Sequence, residues 1–482
     1  METDDLELPN DSSEEEENGE NGENGENEEE SEGEGEEEDE EDLENENENN
    51  DEDDEDDEER VSSGKVEEEQ ASLQPGAADC SSYNIVPYVA ALHATSVNAL
   101  VSTPCSRWLF TGGSDGYIRR FDMFASVAGK SLLTMAQRHP FVDTVTKGGV
   151  LMSCWENEDR PLGATSSSTA LESPHESKMS PVYALAVHSQ AVWLLSGLDS
   201  GTINLQTVRI EQGRIIATLS RHKSAVSVLT LDADETAVLS GGWDRDVFDW
   251  DLNLGIVKRS FDGHTGQLAV ISARPSSHLP IATSPADSDL DSLFGDDNDG
   301  PKNGEYKPKE IGQKGESKDA FMTACIDGTI RIWDKRQAEL ASKIPVTRGV
   351  PPWCMSACWS ENGEEIFVGR RNSCIEQFSL RNFSSPSRTL KLPAGSLAVS
   401  SVQTLPNGRH ILAASYDTIR LYDVEASNKS VPFYIVPGHR TGTVSTMLVD
   451  PTCRFVITAG GNRGWEGNTT DVVLISEIGV VP

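Results

Sequence analysis

Residues 239–251, LSGGWDRDVFDWD, read as two short strands joined by a tight turn. Leu239 and Ser240 belong to the first strand, Gly241 and Gly242 let the backbone bend, and Asp244-Arg245 turns it. Val247, Asp249 and Asp251 then alternate with Asp246, Phe248 and Trp250, the period-two pattern of a strand. His222 lies upstream and is followed by an apolar strand, Val226 to Leu231. A histidine, a hydroxyl, an aspartate and an indole at this spacing can satisfy one another when buried. The carboxylate of Asp244 holds the imidazole of His222, the hydroxyl of Ser240 bridges to the indole N–H of Trp250, and no polar group is orphaned. One such unit has little weight; a repeated one defines an architecture.

The unit repeats. Thr323, Asp327 and Trp333 carry the same spacing in TACIDGTIRIWD, with His264 opening the copy, and Thr111, Asp115 and Phe121 carry it in TGGSDGYIRRFD, with His93 upstream. Weaker copies are Ser196, Ser200 and Gln206, with the aspartate displaced to Asp199; Val368, Asn372 and Phe378; and Asp417 with Tyr422, one residue short. His439 and Thr458 begin a last copy whose turn is enlarged over residues 460–471. The positions match those shared by WD-repeat blades. Seven units of this length predict an all-β chain, a seven-bladed WD-repeat β-propeller.

Composition divides the chain before any motif is considered. Residues 1–60 hold 36 Asp and Glu against one Arg, while the other 422 residues carry 46 acids and 38 bases, within a total net charge of −43. The first segment has too few apolar side chains to offset the entropy of ordering, so residues 1–78 are expected to be a disordered polyacidic tail. The propeller is expected over 82–482. Residues 83–89 read as a strand that supplies the outermost position of blade seven, which removes a free sheet edge. An inter-blade insertion spans 125–180: residues 123–137 have helical character, 150–155 read as the fourth strand of blade one, and 166–180 as a Ser/Thr-rich loop. A second insertion, 285–319, interrupts blade four between its first and second strands and is expected to be disordered. It sets Leu290, Leu293 and Phe294 among aspartates, a pattern that suits either a plain linker or a short helix docking in a partner's groove.

Little in the chain reads as catalytic or metal-binding. Ser240, His222 and Asp244 resemble a nucleophile with its base, but the blade spacing accounts for them as structure, so no enzyme is expected. The eight cysteines are scattered without paired metal spacing, and Cys354 and Cys358 are read onto one strand face; buried free thiols in a reducing compartment are expected. The acidic run at Asp287 lacks the glycine and glutamate of a calcium loop. No cofactor is implied, and no apolar run is long enough to cross a bilayer. Direct sequence-specific nucleic-acid binding is disfavoured, because the body is also acidic and shows no basic-aromatic groove along the sequence. The tail has three readings: solubility, competition for a basic partner surface as a nucleic-acid mimic, and histone binding.

Four stretches carry a family resemblance: WLFTGGSDGYIRRFDMF from Trp108, HPFVDTVTKGGVLMSCWENE from His139, SGGWDRDVFDWDLNLG from Ser240 and VPPWCMSACWSENGEEIFVGRRNSCIEQFSLR from Val350. With the acidic N-terminus they resemble the fungal suppressor-of-Ty WD-repeat subunit of the SAGA transcriptional coactivator complex. The resemblance implies a nuclear, non-enzymatic scaffold whose partners are other SAGA subunits and the TATA-binding protein, and which influences delivery of that protein to promoters. Rival readings are a histone-binding chaperone and, from the box Trp333-Asp334-Lys335-Arg336, a substrate receptor of a cullin ubiquitin ligase. Strand order places the residue before each aspartate on the face that carries the histidines: Ser114, Trp243, Ile326, Arg371 and Tyr416. Trp243, Arg371 and Tyr416 are residue types that dominate binding hot spots, so they are candidate partner contacts; Trp243 packing on a neighbouring loop is the alternative. The 285–319 insertion is expected on the opposite face.

Overall fold

The structure is a computed structural model that describes residues 72–160, 178–275, 277, 319–416, 418–426, 433–439, 442–463 and 470–482. Residues 67–482 form one compact unit. The acidic stretch up to residue 71, the loop 161–177, the insertion with Leu290, Leu293 and Phe294, and Asp417 lie outside the described residues.

The ring is a seven-bladed β-propeller. Its inner strands are Val97–Ser102, Leu185–Val187, Val226–Leu231, Leu268–Ala273, Cys354–Trp359, Val399–Thr404 and Val444–Val449. Each blade continues outward as an antiparallel meander. Second strands are sandwiched between neighbouring blades, and Ala237–Gly242, Ala320–Cys325 and His410–Ser415 are buried at every residue. Their sequences are accordingly runs of apolar and small residues rather than alternations. Outer strands meet water; in Ile215–Ser220 only Leu219 is buried. Blade seven takes its outermost strand, Ser82–Leu92, from the beginning of the domain, paired from Ser82↔Val481 to Leu92↔Val472.

Apolar packing is divided among the seven blade junctions. Met322, Ile332 and Ile344 of blade four meet Cys354, Ile366 and Phe378 of blade five, and Phe367 and Leu390 of blade five meet Val399 and Val402 of blade six. Equivalent clusters fill the other five junctions. The junctions are close enough to restrict one position in each second strand, the residue after the tetrad hydroxyl. It is Gly112, Gly197, Gly241 or Gly369 in four blades and Ala324, Ala414 or Ala459 in the others. A Cβ on Gly197 would lie 2.8 Å from the Val226 carbonyl oxygen and 2.9 Å from its Cβ.

Inner strands share a second device. In six blades the pairing slips by one residue near the strand start, so that Asn98, Ser227, Ala269, Met355, Ser400 and Ser445 are bulged. Ser227 Oγ donates to Leu268 O of the next blade at 2.8 Å. Ser445 Oγ does the same to Val97 O at 2.6 Å, across the ring closure. The bulge also corrects the expected placement of two cysteines. Because Met355 is the extra residue, alternation resets after it: Cys354 packs toward blade four and Cys358 toward blade six, on opposite faces.

Three boundaries differ from expectation. Residues 72–78, expected to belong to the tail although they carry no acidic side chain, pack on the ring: Gln74 N donates to Thr452 O at 2.8 Å, and Ala77 is fully buried beneath the Tyr83 hydroxyl, which donates to Ala77 O at 2.6 Å. Residues 123–149 lie inside blade one, because Val150–Glu156 pairs with Tyr117–Asp122 as its fourth strand. The single helix expected there is two short ones, α1 (Met123–Ala128) and α2 (Met135–Arg138), and Lys147–Gly148 adds a parallel pairing to Val89 and Ala90. Finally, all eight cysteines are free, but Cys105 and Cys154 are exposed, on a turn and an outer strand where the fold offers no cover. No helix among the described residues is long and apolar enough to cross a membrane.

Close packing at the junctions makes Gly197→Ala a test of the ring. The added Cβ must push on backbone, so the variant is expected to lose about 1–3 kcal/mol of stability. A thermal melt indistinguishable from the unsubstituted chain would show that the junction is looser than described.

Candidate functional site: the tetrad face and the channel mouth

One blade carries the complete network. His222 Nδ1 lies 3.0 Å from both Asp244 carboxylate oxygens, His222 Nε2 lies 2.7 Å from Ser240 Oγ, and Trp250 Nε1 donates to Ser240 Oγ at 2.8 Å. Lys223 N–H donates to Asp244 Oδ2 at 2.8 Å. Burial drives the Asp244 carboxyl upward, but the His222 and Lys223 hydrogen bonds outweigh it and hold its pKa below the usual carboxylate range. Ser240 is fully buried with its oxygen engaged twice, so it cannot meet a substrate.

The other predicted tetrads are brought together in part. In blade four His264 Nε2 lies 2.9 Å from Thr323 Oγ1 and Trp333 Nε1 donates to it at 3.0 Å, but Asp327 turns to Thr265 and Thr329. In blade one His93 Nε2 meets Thr111 Oγ1 at 2.9 Å and its ring packs on Phe121, while Asp115 pairs with Arg119. The reason is local: blade three has Phe248 where blade one has Arg119 and blade four Arg331, and these guanidiniums occupy the turn. In blade seven Thr470 takes the aspartate's place, 3.2 Å from His439 Nδ1.

Two blades solve the same problem with residues that the motif does not announce. Blade two has no histidine at the tetrad position; Asn157 accepts from Ser196 Oγ at 2.7 Å, and Gln206 accepts from Trp155 Nε1 at 2.6 Å. Blade five is apolar at Val368 and Phe378, and a buried ion pair, Arg370 Nε to Glu376 Oε2 at 2.7 Å, stands in for the tetrad. Arg370 also donates to Gly328 O at 2.8 Å, tying blade five to blade four. Neither is announced by the sequence: Asn157 follows the fourth strand of blade one, and Glu376 lies across the ladder from Val368, two residues from Arg370.

The residues before the aspartate positions share one face. Ser114, Trp243, Ile326, Arg371 and Tyr416 each donate their backbone N–H to a carbonyl one to three residues ahead of the inner strand: Ser96, Ala225, Gln267, Trp353 and Ser396. Trp243 is half-buried against Tyr183, ring centroids 5.0 Å apart, and lines the mouth of the central channel with Ile326 and Met355. Arg371 is exposed and stacks over Trp353 at 3.7 Å; Tyr416 is half-buried. Arg463, from the enlarged turn of blade seven, reaches across the mouth and donates to Ser227 O at 2.7 Å. Leu268–Ala273 and Ala320–Cys325 flank the 285–319 insertion, and their pairing ends at Ala273↔Phe321, at the opposite end from Leu268↔Cys325; the insertion itself lies outside the described residues. Arg336 of the WD-x-R box folds back on Asp334 at 2.6 Å, and Trp333 is buried. Among the described residues no group of His, Cys, Asp or Glu is arranged to hold a metal ion.

His222→Ala and Asp244→Ala are each expected to cost about 1–3 kcal/mol through an orphaned partner, and Trp250→Ala about 3–5 kcal/mol through its cavity. Glu376→Ala strands a buried guanidinium and is expected to cost about 3–5 kcal/mol. Chemical denaturation of the four variants checks the ranking. The histidines add a pH dependence. Burial depresses His93, His264 and His439 from 6.5 to about 4. They stay neutral in the fold and bind protons more readily once it opens, so their contribution is complete above pH 6.5 and lost as pH falls toward 4. Melting temperature should decline across that window, and less steeply in His439→Gln; equal slopes would exclude His439 as a source.

Comparison with known proteins agrees with this geometry. The sequence matches the family described as the SPT8 beta propeller over residues 83–479. It is 39% identical to the SAGA complex subunit Spt8 of Schizosaccharomyces pombe, covering 85% of this chain and 82% of that one. It is 38% identical to the SAGA complex subunit SPT8 of Saccharomyces cerevisiae, covering 87% and 76%. A more distant likeness, 25% identity over 30% of the chain, is to the small ribosomal subunit protein RACK1 of Caenorhabditis elegans. The family match spans the whole ring, including the imperfect blades, and the chain belongs to the SPT8 beta-propeller family.

Proposed function

We propose that this chain is a non-enzymatic scaffold subunit of a SAGA-type transcriptional coactivator complex in the nucleus, where it contacts the TATA-binding protein and regulates its delivery to promoters. The observation that carries the reading is likeness to two SAGA complex subunits over more than four-fifths of the chain. The ring supports it: polar residues that resemble catalytic groups are consumed in holding blades together, which leaves rims and loops for binding. The rim at the channel mouth offers Trp243, Arg371 and Tyr416, rigid aromatic and guanidinium groups that form efficient anchors. The polyacidic arm supplies long-range attraction for a basic partner such as a nucleic-acid-binding protein.

Affinity purification of the tagged chain from nuclear extract, followed by peptide mass spectrometry, tests the assignment. Acetyltransferase-complex subunits are expected; recovery of a cullin adaptor or of free histones in their place would overturn it. The contact is tested by pulldown of the TATA-binding protein and the coactivator core. Trp243→Ala with Arg371→Ala should weaken one of them, whereas deleting 285–319 should not. The reverse pattern would move the partner to the insertion face. Deleting residues 1–60 should lower affinity for the TATA-binding protein at low salt and flatten its salt dependence; equal affinities at low and high salt, with and without the arm, would leave the arm only a solubilising role.

A further inference from the structure

On the face opposite the tetrads, turns from three blades meet around Trp108. The guanidinium carbon of Arg107 stands 4.9 Å from the Trp108 ring centroid, and that of Arg120, from the third strand of the same blade, stands 5.0 Å from it. Arg209, in the turn after the third strand of blade two, lines the same groove, and Leu231, Asp232, Ala233 and Glu235 of blade three bound it. The groove is open to solvent and spans about 1730 Å³ with that open side included, room for several side chains in a row rather than for one ion. Sequence alone does not reveal it, because its residues are spread from Ser102 to Glu235.

Its charge is uncompensated. Arginines elsewhere on the surface, such as Arg119, Arg214, Arg336 and Arg409, fold back onto carboxylates. Among the described residues Arg107, Arg120 and Arg209 have no such pairing. Arg120 is half-buried; its Nη1 reaches the Val208 carbonyl at 3.4 Å and its Nε has no hydrogen-bond partner. Asp122, whose field acts on Arg120, is engaged as the cap of α1, accepting from Ala125 N at 2.8 Å. The two acids on the groove wall are committed as well: Asp232 to Lys335 at 3.0 Å, and Glu235 to His188 at 3.2 Å and Ser189 at 3.1 Å. Arg107 and Arg120 share the Trp108 ring and repel one another there, and Arg209 adds a third positive charge to the groove with no carboxylate to neutralise it. Their complement is a chain segment that brings carboxylates and an apolar side chain together.

We propose that this groove docks an acidic peptide segment of a partner protein, with its carboxylates on Arg107 and Arg209, the charge of Arg120 beside Trp108 adding to the attraction, and an apolar side chain against Trp108. Nucleic acid fits less well. A phosphate backbone asks for a basic track that continues along the surface, whereas here Asp232 and Glu235 close one side. The inference does not depend on which complex the chain joins.

The test uses the full chain and a short fluorescein-labelled peptide of Glu and Asp around one central Phe, with its Gln/Asn counterpart and an oligothymidine strand as comparators. Fluorescence anisotropy should show binding of the acidic peptide and none of the counterpart. Arg107→Glu with Arg209→Glu, both at exposed positions, should weaken binding by about tenfold or more with an unchanged thermal melt. The proposal fails if the acidic peptide does not bind, if the counterpart binds equally, or if charge reversal moves Kd by less than about twofold. Tighter binding of the oligothymidine, lost on the same charge reversal, would make the groove a nucleic-acid surface instead and would also overturn it.

Discussion

Everything in this ring depends on how closely the second strand of one blade approaches the first strand of the next. At Gly197 the gap admits no Cβ without displacing Val226. Residue choice around that point follows from the distance. The position must be Gly or Ala, the preceding hydroxyl is sealed from water, and a sealed hydroxyl must be hydrogen-bonded within the blade. The tetrad in blade three is therefore a consequence of tight packing, because His222 and Trp250 supply the partners that Ser240 loses on burial.

Seven junctions impose this requirement and the chain meets it by different chemistry. Three blades retain a neutral histidine on a threonine hydroxyl without a bonded aspartate. One uses amides, and one replaces hydroxyl and indole by apolar residues and sets an ion pair beside them. The substitutions are coupled by electrostatics. Where an arginine enters the third strand, as at Arg119, the turn aspartate pairs with it and leaves the imidazole. Where that position is Phe248, the imidazole keeps its carboxylate and packs on the ring at 4.7 Å. A buried ion pair such as Arg370–Glu376 is expensive to desolvate and contributes mainly by fixing which groups meet.

The architecture was legible because the repeat spacing reports strand and turn lengths, which do not depend on which polar group fills a site. The ring closure by residues 83–89 followed from counting strands. Asn157 and Glu376 were not legible, since an amide just after a strand or a carboxylate within one has no signature until its neighbours in space are known. Local geometry defeated two further readings: a single bulge at Met355 reversed the relation of Cys354 to Cys358, and residues 72–78, which carry no acidic side chain, are held to blade seven by the backbone bond of Gln74 to Thr452. Strand order put Trp243 on the face that carries the histidines, but Tyr183 and Arg463, which meet it at the channel mouth, come from loops whose course spacing does not fix.

Blade seven joins residues about 400 positions apart, as in the contact of Ser81 with Val481. During synthesis the strand Ser82–Leu92 leaves the ribosome first and waits for Val472–Val481, an interval on the order of 20–80 s at about 5–20 residues per second. Through that interval the nascent arc has two unpaired flanks, and its earliest strand, NIVPYVAAL, is apolar and competent to pair with any open edge it meets. A highly acidic segment precedes that strand and emerges before it. Linked to the strand at its most exposed moment, so much negative charge repels neighbouring nascent chains and keeps the edge for its own partner.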